Sequence, residues 1–229
     1  MCGAGSDLLA ALATRALAFV KDGALVGLGT GRAATAFIHA LAARVNKGLS
    51  IRGVPTSEAT ARLARELGIP LAGLEEGTIE VTVDGADEVD PQLDLIKGYG
   101  GALVRERIVA AASRKQVILV DSSKLVPMLG TRGRLPVEVI PFALPFCARR
   151  LKELGVQPTL RLVEGKPFVS DNGNVILDCA IGPLEAPGTV DSEIRKIPGV
   201  VDTGLFLGTA HTVLVAEGRT VREMRRKDA

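Results

Sequence analysis

Acidic and basic side chains of one short stretch have the types and spacing that proton transfer next to a carbonyl requires. Asp84 and Asp87 follow an alternating apolar segment, and Lys97 and Glu106 flank a glycine-rich run. A carboxylate such as Glu106 can remove a carbon-bound proton, and the charge of Lys97 can stabilise the oxyanion that then develops. Backbone amides of a glycine turn at a helix start can hold the same anion. These parts predict an enediolate reaction that needs no metal ion.

Each of these residues also has a structural interpretation. Glu106 is flanked by apolar helix positions and needs a partner there, so an ion pair with Arg105, Arg107 or another helix explains it equally well when it is taken alone. Asp84 and Asp87 are of a type common in turns, and most lysines are solvated. We favour the functional interpretation for the combination, because strand ends beside glycine turns are where open α/β sheets bind ligands.

Strand and helix patterns alternate around this stretch. Residues 79–84 alternate as in a half-buried strand, and residues 102–113 predict a helix that is apolar nearly all round and therefore buried. The same patterns predict helices over 7–21, 32–44 and 58–67 and strands over 24–28, 49–54, 69–71 and 117–120. This alternation is typical of an α/β fold with a doubly wound, mostly parallel sheet, whose site lies along the carboxyl edge.

The order of elements changes after about residue 128. The patterns predict strands over 137–140, 159–162, 175–179 and 200–206 and helices over 144–154 and 189–196. The order βαββαβ indicates a second, smaller α+β ferredoxin-like domain. A strand over 211–216 has no partner there, so we expect it to return to the first sheet. The predicted domains are therefore 1–128 with 207–229, Rossmann-like and catalytic, and 129–206, ferredoxin-like.

A series of motifs runs through nearly the whole chain. They include Gly27-Leu28-Gly29-Thr30-Gly31, Asp84-Gly85-Ala86-Asp87-Glu88, Leu95-Ile96-Lys97-Gly98, Gly100-Gly101-Ala102-Leu103, Arg105-Glu106 and Asp121-Ser122-Ser123-Lys124. In sequence and order they resemble the signature of the A-type ribose-5-phosphate isomerase family. The resemblance implies an enzyme that interconverts D-ribose 5-phosphate and D-ribulose 5-phosphate in the non-oxidative pentose phosphate pathway, without a cofactor.

The resemblance also implies which residues form the site. The catalytic residues would be Glu106, Asp84, Asp87 and Lys97. The substrate-binding residues would be Thr30, Gly31, Arg32, Ala33, Gly85, Ala86, Gly98, Tyr99, Gly100 and Lys124. The chain departs from the family at Arg32-Ala33, where a Ser-Thr pair is usual, and Arg32 would replace two hydroxyl donors by a charge-assisted contact. Tyr99 also stands in a turn that is commonly smaller or basic.

The amino-acid composition limits the classes of molecule that the protein is expected to bind. The chain has 229 residues, a net charge of +2, 3% aromatic residues and no Trp, so stacking platforms for single-stranded nucleic acid are not expected. We predict that the basic end, Arg219 to Lys227, is a solvated helix or a frayed tail. No apolar run approaches a membrane span, and the scattered Cys2, Cys147 and Cys179 fit a reducing compartment. We expect a cytoplasmic protein that binds a small sugar phosphate, and the resemblance implies a homodimer.

Other functions compete with this hypothesis. The carboxylates between Asp84 and Asp94 are dense enough to attract Mg²⁺, although their spacing does not match a calcium loop. A non-catalytic sugar-phosphate sensor would keep the phosphate site but would need no base. A related aldose–ketose isomerase that acts on an amino sugar is the nearest rival.

Overall fold

The computed structural model of the protein describes residues 4–218 and 220–226. Cys2, Arg219 and Lys227, which entered the predictions above, lie outside the described residues. The α-helices are α1 (Ala4–Ala16), α2 (Arg32–Val45), α3 (Glu58–Glu66), α4 (Leu103–Ala111), α5 (Leu144–Glu153) and α6 (Pro187–Arg195). Short 3-10 helices cover Leu17–Phe19, Leu74–Glu76, Ser122–Lys124 and Pro141–Ala143.

The strands are short and spread over the whole described chain. They are β1 (Ala24–Leu28), β2 (Ile51–Pro55), β3 (Val81–Gly85), β4 (Glu88–Val89), β5 (Leu95–Ile96), β6 (Gln116–Asp121), β7 (Arg134–Val139), β8 (Gln157–Leu160), β9 (Leu162–Val163), β10 (Lys166–Pro167), β11 (Val175–Ala180), β12 (Val200–Thr203), β13 (Leu205–Phe206), β14 (Thr212–Glu217) and β15 (Thr220–Arg225). The strand predicted over 69–71 is a single bridge between Gly53 and Leu71.

The chain divides into two compact units. The first unit comprises Met1–Ala86, Arg105–Lys124 and Gly208–Ala229, and the second comprises Asp87–Val104 and Leu125–Leu207. These bounds differ from the predicted domain bounds chiefly in residues 87–104. Where the domains divide stays a prediction.

The sheet of the first unit is mostly parallel, as the alternation of strands and helices predicted. Within the described residues its order is β15-β14-β6-β3-β1-β2, and only β15 is antiparallel to its neighbour. Val26 of β1 shares a core cluster with Phe37 and Leu41 of α2, and the adjacent Leu25 shares another with Val109 of α4. Because successive strand residues face opposite sides, helices cover both faces of this doubly wound sheet. The parallel pairing of β14 with β6 confirms the expected return of the chain.

The second unit has the predicted ferredoxin-like arrangement. Its antiparallel sheet has the order β12-β7-β11-β8, and α5 and α6 complete the order βαββαβ. Its core includes Val137, Leu151, Leu177 and Ile194. The sequence did not predict the β9–β10 hairpin or the small sheet β13-β5-β4. The predicted last strand, 200–206, is split into β12 and β13, and β13 pairs with β5.

The basic end of the chain was predicted wrongly. Residues 220–225 form the edge strand β15 along β14, not a solvated helix or a frayed tail. Their alternation explains the strand, because Val221 packs against the core and Glu223 pairs with Arg15 of α1, while Arg222 and Arg225 are exposed. Charged side chains on an edge strand also discourage pairing with another chain.

The burial of β3 and of α4, which carry Asp84 and Glu106, differs from our prediction. Thr82 of β3 is as inaccessible as Val83, so the strand is not half-buried. Helices cover both of its faces, and Thr82 Oγ1 is satisfied by Ser113 Oγ at 2.6 Å. Conversely, α4 is not buried all round, since Ile108 is 46% exposed. The apolar composition of α4 therefore overstated its burial.

Two further observations concern the predictions made from the cysteines and from the apolar runs of the sequence. Cys147 and Cys179 are buried and free. Burial raises the pKa of Cys179 to about 12, so this thiol stays protonated and behaves as a small apolar side chain. Within the described part of the chain, no helix combines the length and apolar character needed to cross a membrane.

Two phenylalanines allow a matched test of the core. Phe37 is completely buried in the first unit, whereas Phe142 is 96% exposed. Phe37→Ala removes the ring from a packed core and should lower the free energy of unfolding by about 3–5 kcal/mol. Phe142→Ala should change it by less than about 0.5 kcal/mol. Urea unfolding of both variants measures this, and equal destabilisation would contradict the core assigned here.

Candidate active site

Backbone amides hold Asp84 at the carboxyl end of β3. The side chain is buried, and its Oδ1 accepts hydrogen bonds from the amide of Thr30 at 3.0 Å and from that of Gly85 at 2.8 Å. Thr30 follows β1, which runs parallel to β3. These donors offset the loss of water around the carboxylate. The loop after β1 and the end of β3 are thereby joined through one side chain.

A cluster of hydroxyl groups surrounds the Thr30 side chain. Its Oγ1 lies 2.8 Å from Thr56 Oγ1, 2.9 Å from Ser57 Oγ and 3.2 Å from Thr60 Oγ1. Ser57 also caps α3, because its Oγ accepts the amide of Thr60 at 3.0 Å. The cluster fixes the Thr30 side chain at the carboxyl ends of β1 and β2.

The start of α2 is open to an anion. Its N-cap, Gly31, has a φ of 106°, a conformation that suits glycine, and it offers no side-chain cap to the first amides. Uncapped amides at a helix start, with the helix dipole behind them, attract negative charge. Arg32 is exposed there. Lys124 lies in the 3-10 helix that follows β6, at the same edge of the parallel sheet.

Glu106 is a buried carboxylate in the first turn of α4. It is 5% exposed, and the positive end of the helix dipole favours a negative charge at this position. Of its predicted structural partners, Arg105 is bound to Glu58, with Nη1 2.8 Å from Oε1. That hydrogen bond and the charge of Arg105 lower the pKa of Glu58. The side chain of Glu106 is thus held by a helix rather than by a loop.

Lys97 of the second unit is buried, unlike most lysines. It is 2% exposed, it follows β5 directly, and its amide donates to the Gly204 carbonyl at 2.9 Å. Its Nζ lies 5.6 Å from the centre of the Phe206 ring on β13, within the range of a cation–π contact. The β5–β13 pair therefore fixes a positive charge immediately before the glycine turn.

The turn from Gly98 to Gly101 presents backbone amides. Gly101 donates to the Gly98 carbonyl at 3.0 Å, and Tyr99 donates to Asp87 Oδ2 at 3.0 Å. Among the described residues, no acceptor lies on the amides of Gly98 and Gly100. These two amides are therefore the ones that a developing oxyanion can use.

The other carboxylates near this turn hold loops together. Glu88 is fully buried and accepts the amides of Gly130 at 2.7 Å and Arg132 at 2.8 Å. Asp90 Oδ1 accepts the amides of Gln92 and Asp94. The part of the chain that the structure describes contains no group of three or more His, Cys, Asp or Glu side chains arranged to hold a metal ion.

Each unit gathers part of the predicted site. The first contains Thr30, Gly31, Arg32, Ala33, Asp84, Gly85, Ala86, Glu106 and Lys124. The second contains Asp87, Lys97, Gly98, Tyr99 and Gly100. Along the chain, the two parts alternate within residues 84–106.

Comparison with known proteins assigns the family. The family model of ribose 5-phosphate isomerase A (phosphoriboisomerase A) matches residues 52–220. The chain belongs to the ribose 5-phosphate isomerase A family. A ribose-5-phosphate isomerase A of Gloeobacter violaceus is 51% identical over 207 residues, which cover 90% of each chain. The resemblance found in the motifs is confirmed.

Solved structures of the ribose 5-phosphate isomerase A family share the fold. The enzyme from Methanocaldococcus jannaschii is 40% identical with a TM-score of 0.92, over 96% of this chain and 99% of that chain. A D-ribose-5-phosphate isomerase in complex with phospho-erythronic acid is 37% identical with a TM-score of 0.92, over 96% and 98%. The predicted α/β fold with its second, smaller domain is therefore confirmed.

Several residues that shape the site were not predicted as part of it. The contacts of Thr56, Ser57 and Thr60 with Thr30 were missed. The sequence did contain a signal for Thr56 and Ser57, because these polar residues directly follow β2, which pairs with β1. Arg161, whose Nη1 lies 3.0 Å from the Gly98 carbonyl oxygen, was also missed, and no local pattern marks it.

Tyr99 gives a spectroscopic test of this environment, because it is the sole tyrosine and the chain has no Trp. Burial, followed by the negative charges of Asp87 and Glu88, raises the pKa of Tyr99 to about 12. A tyrosine in an unfolded chain has a pKa of about 10. The folded state therefore holds the proton more tightly, and its stability falls as the pH rises from about 10 to about 12.

We expect ultraviolet titration of the native protein to show little tyrosinate at a pH of about 10.5, and the same protein in denaturant to be mostly ionised there. A native titration midpoint near the unfolded value would contradict the burial of Tyr99.

Proposed function

We propose that the protein interconverts D-ribose 5-phosphate and D-ribulose 5-phosphate through an enediolate. The observation that carries this proposal is Glu106, a carboxylate that is 5% exposed and held on a helix. It follows closely on a turn whose Gly98 and Gly100 amides have no described acceptor. Family membership supports the proposal, since relatives at about half identity bear the isomerase name. A sugar-phosphate sensor has no use for such a base.

In this reaction Glu106 moves the carbon-bound proton. It takes the proton from C2 of the open-chain aldose and returns it to C1, while a hydroxyl proton passes from O2 to O1, so that the ketose forms without loss of atoms. Lys97 and the amides of Gly98 and Gly100 hold the oxygens of the enediolate. A general base contributes a factor of about 10²–10⁴ in rate, and one oxyanion donor contributes about 10²–10³.

The two aspartates manage the sugar hydroxyl groups. Asp84 carries hydroxyl protons and assists opening of the sugar ring, and Asp87 positions hydroxyl groups. Each has one oxygen engaged by backbone amides, which holds the carboxylate in place. The neighbouring Gly85 and Ala86 line this part of the substrate site.

The phosphate binds at the start of α2. The amides of Arg32 and Ala33 supply neutral donors, Thr30 borders the phosphate, and Gly31 lets the phosphate approach the backbone. Arg32 and Lys124 supply positive charge, and Arg32 takes over from the Ser-Thr pair usual in the family. Tyr99 contacts the sugar.

The family also suggests a cellular setting and an assembly. We place the protein in the non-oxidative pentose phosphate pathway of the cytoplasm, acting as a homodimer and without a cofactor. Support comes from its family and from the free, buried cysteines.

The decisive test is turnover of ribose 5-phosphate in EDTA by the parent protein and by Glu106→Gln. The substitution keeps the shape of the side chain and removes the base, so kcat should fall by about 10²-fold or more while the substrate still binds. Glu66→Gln, on the exposed surface of α3, is the matched control and should leave kcat unchanged. Ribulose 5-phosphate formation and calorimetric binding report the two quantities.

A parent protein that binds the sugar phosphate but does not isomerise it would support the sensor instead. A Glu106→Gln variant with near-parent turnover would remove Glu106 from the reaction. A parallel assay with a 6-phosphorylated amino sugar distinguishes the proposed activity from that of an isomerase that acts on amino sugars.

A further inference from the structure

Arg161 connects a buried carboxylate to the glycine turn of the second unit. It follows β8 and is 9% exposed. Its Nε lies 2.9 Å from Asp178 Oδ2, and its Nη2 contacts Asp178 Oδ1. Its Nη1 donates to the carbonyls of Gly98, at 3.0 Å, and Tyr99, at 3.2 Å. One guanidinium thus holds two successive peptide groups of the turn.

The contacts of Arg161 with the two carbonyls also determine the direction in which the amides of the turn point. The described chain contains no cis peptide bond, so the C=O and N–H of each peptide group point in opposite directions. The Gly98–Tyr99 peptide is held at both edges, at its oxygen by Arg161 and at its N–H by Asp87. The Tyr99–Gly100 peptide is held at its oxygen alone, so its Gly100 N–H points away from Arg161.

Asp178 fixes the guanidinium itself. A bidentate contact between a planar guanidinium and a carboxylate sets the orientation of both groups. Arg134 binds the same carboxylate through Nε at 2.9 Å, and its guanidinium lies 4.4 Å from the centre of the Tyr99 ring. Burial works to raise the pKa of Asp178, but the hydrogen bonds and charges of Arg161 and Arg134 outweigh it and lower this pKa. The carboxylate is therefore ionised at neutral pH.

Packing leaves the turn little room to rearrange. Gly101 has a φ of 86°, and a side chain there would come within 2.3 Å of the Phe168 ring. The amide of Phe168 in turn donates to the Arg161 carbonyl at 2.9 Å, and the Arg161 guanidinium lies 5.7 Å from the centre of the Phe168 ring. Phe168 therefore packs against the turn at Gly101 and against Arg161.

We infer that Arg161, held by Asp178, is a positioning residue for the isomerisation. It aims the Gly100 amide at the enediolate oxygen and, through the peptide that it shares with Asp87, steadies that carboxylate. The inference rests on the proposed function, because it assigns the Gly100 amide to an oxyanion. Arg161 itself touches neither substrate nor reacting atoms in this assignment.

The test compares Arg161→Lys with Arg134→Lys. Lysine keeps the charge but offers one compact ammonium, which cannot bind Asp178 with two parallel hydrogen bonds and also reach both carbonyls. For Arg161→Lys we expect kcat to fall by about 10- to 100-fold and KM to stay within about threefold. Arg134→Lys loses a contact with the same Asp178 but none with the two carbonyls, so its kcat should stay within about threefold.

Inhibition by phospho-erythronic acid supplies a readout that a purely structural role would not move. Its carboxylate has two oxygens and a negative charge, as the enediolate has. For Arg161→Lys its inhibition constant should rise by about the factor by which kcat falls, while KM for ribose 5-phosphate stays nearly constant. Asp178→Asn should also lower kcat and raise the inhibition constant, because Arg161 then loses its ionic partner.

Circular dichroism and thermal unfolding accompany each variant, and Asp178→Asn supplies the test if Arg161→Lys does not fold. Equal kcat for Arg161→Lys and Arg134→Lys would overturn the inference, as would a raised KM with unchanged kcat. If the parent protein does not isomerise ribose 5-phosphate, the proposed function fails and the inference fails with it. If the parent turns over normally, only the role of Arg161 is in question.

Discussion

The burial of the Asp84 carboxylate is the constraint on which the first unit depends. A charge without water must be met by donors that the fold supplies, and here two backbone amides do so. The donors can approach only because Gly29 has no side chain, since a Cβ there would lie 2.2 Å from Asp84 Oδ1. Asp84, Thr30 and the start of α2 are thus placed together by one close approach between neighbouring strands.

The second unit solves a similar problem with a cation. Arg161 is nearly buried, and its charge is met by Asp178 while its Nη1 donates to two carbonyls of the turn. A buried ion pair of this kind contributes little net stability, because desolvation offsets most of the Coulomb attraction. Its benefit is geometric: the directions of several hydrogen bonds are set together. That is a reason to regard the network as functional rather than as a stabilising feature.

Patterns of one or two dozen residues predicted most of the fold. The continuous apolar runs of β1 and β6 and the glycines and polar residues at strand ends were sufficient, because parallel strands that helices cover on both faces have such runs. The failures have physical causes. In β15 the basic residues obscured an alternation whose inner positions include Glu223, and that residue is accommodated by Arg15. In β3 a threonine was taken as an exposed position, although a hydroxyl with a partner can be fully buried.

Some residues of the candidate site could likewise be predicted from the sequence, and others could not. Residues 84–106 carry their chemistry in a contiguous motif, so their types and spacing, with the family resemblance, were enough to nominate them. The groups that orient them come from distant parts of the chain. Thr60 of α3 lies beside Thr30 because β1 and β2 are adjacent, and Arg161 reaches Gly98 only because β8, β11 and the turn meet in three dimensions. A buried arginine following a short strand looks in sequence like any solvated arginine, and only its four directed hydrogen bonds distinguish it. Catalytic groups can therefore be nominated from a motif, whereas the residues that aim them require the fold.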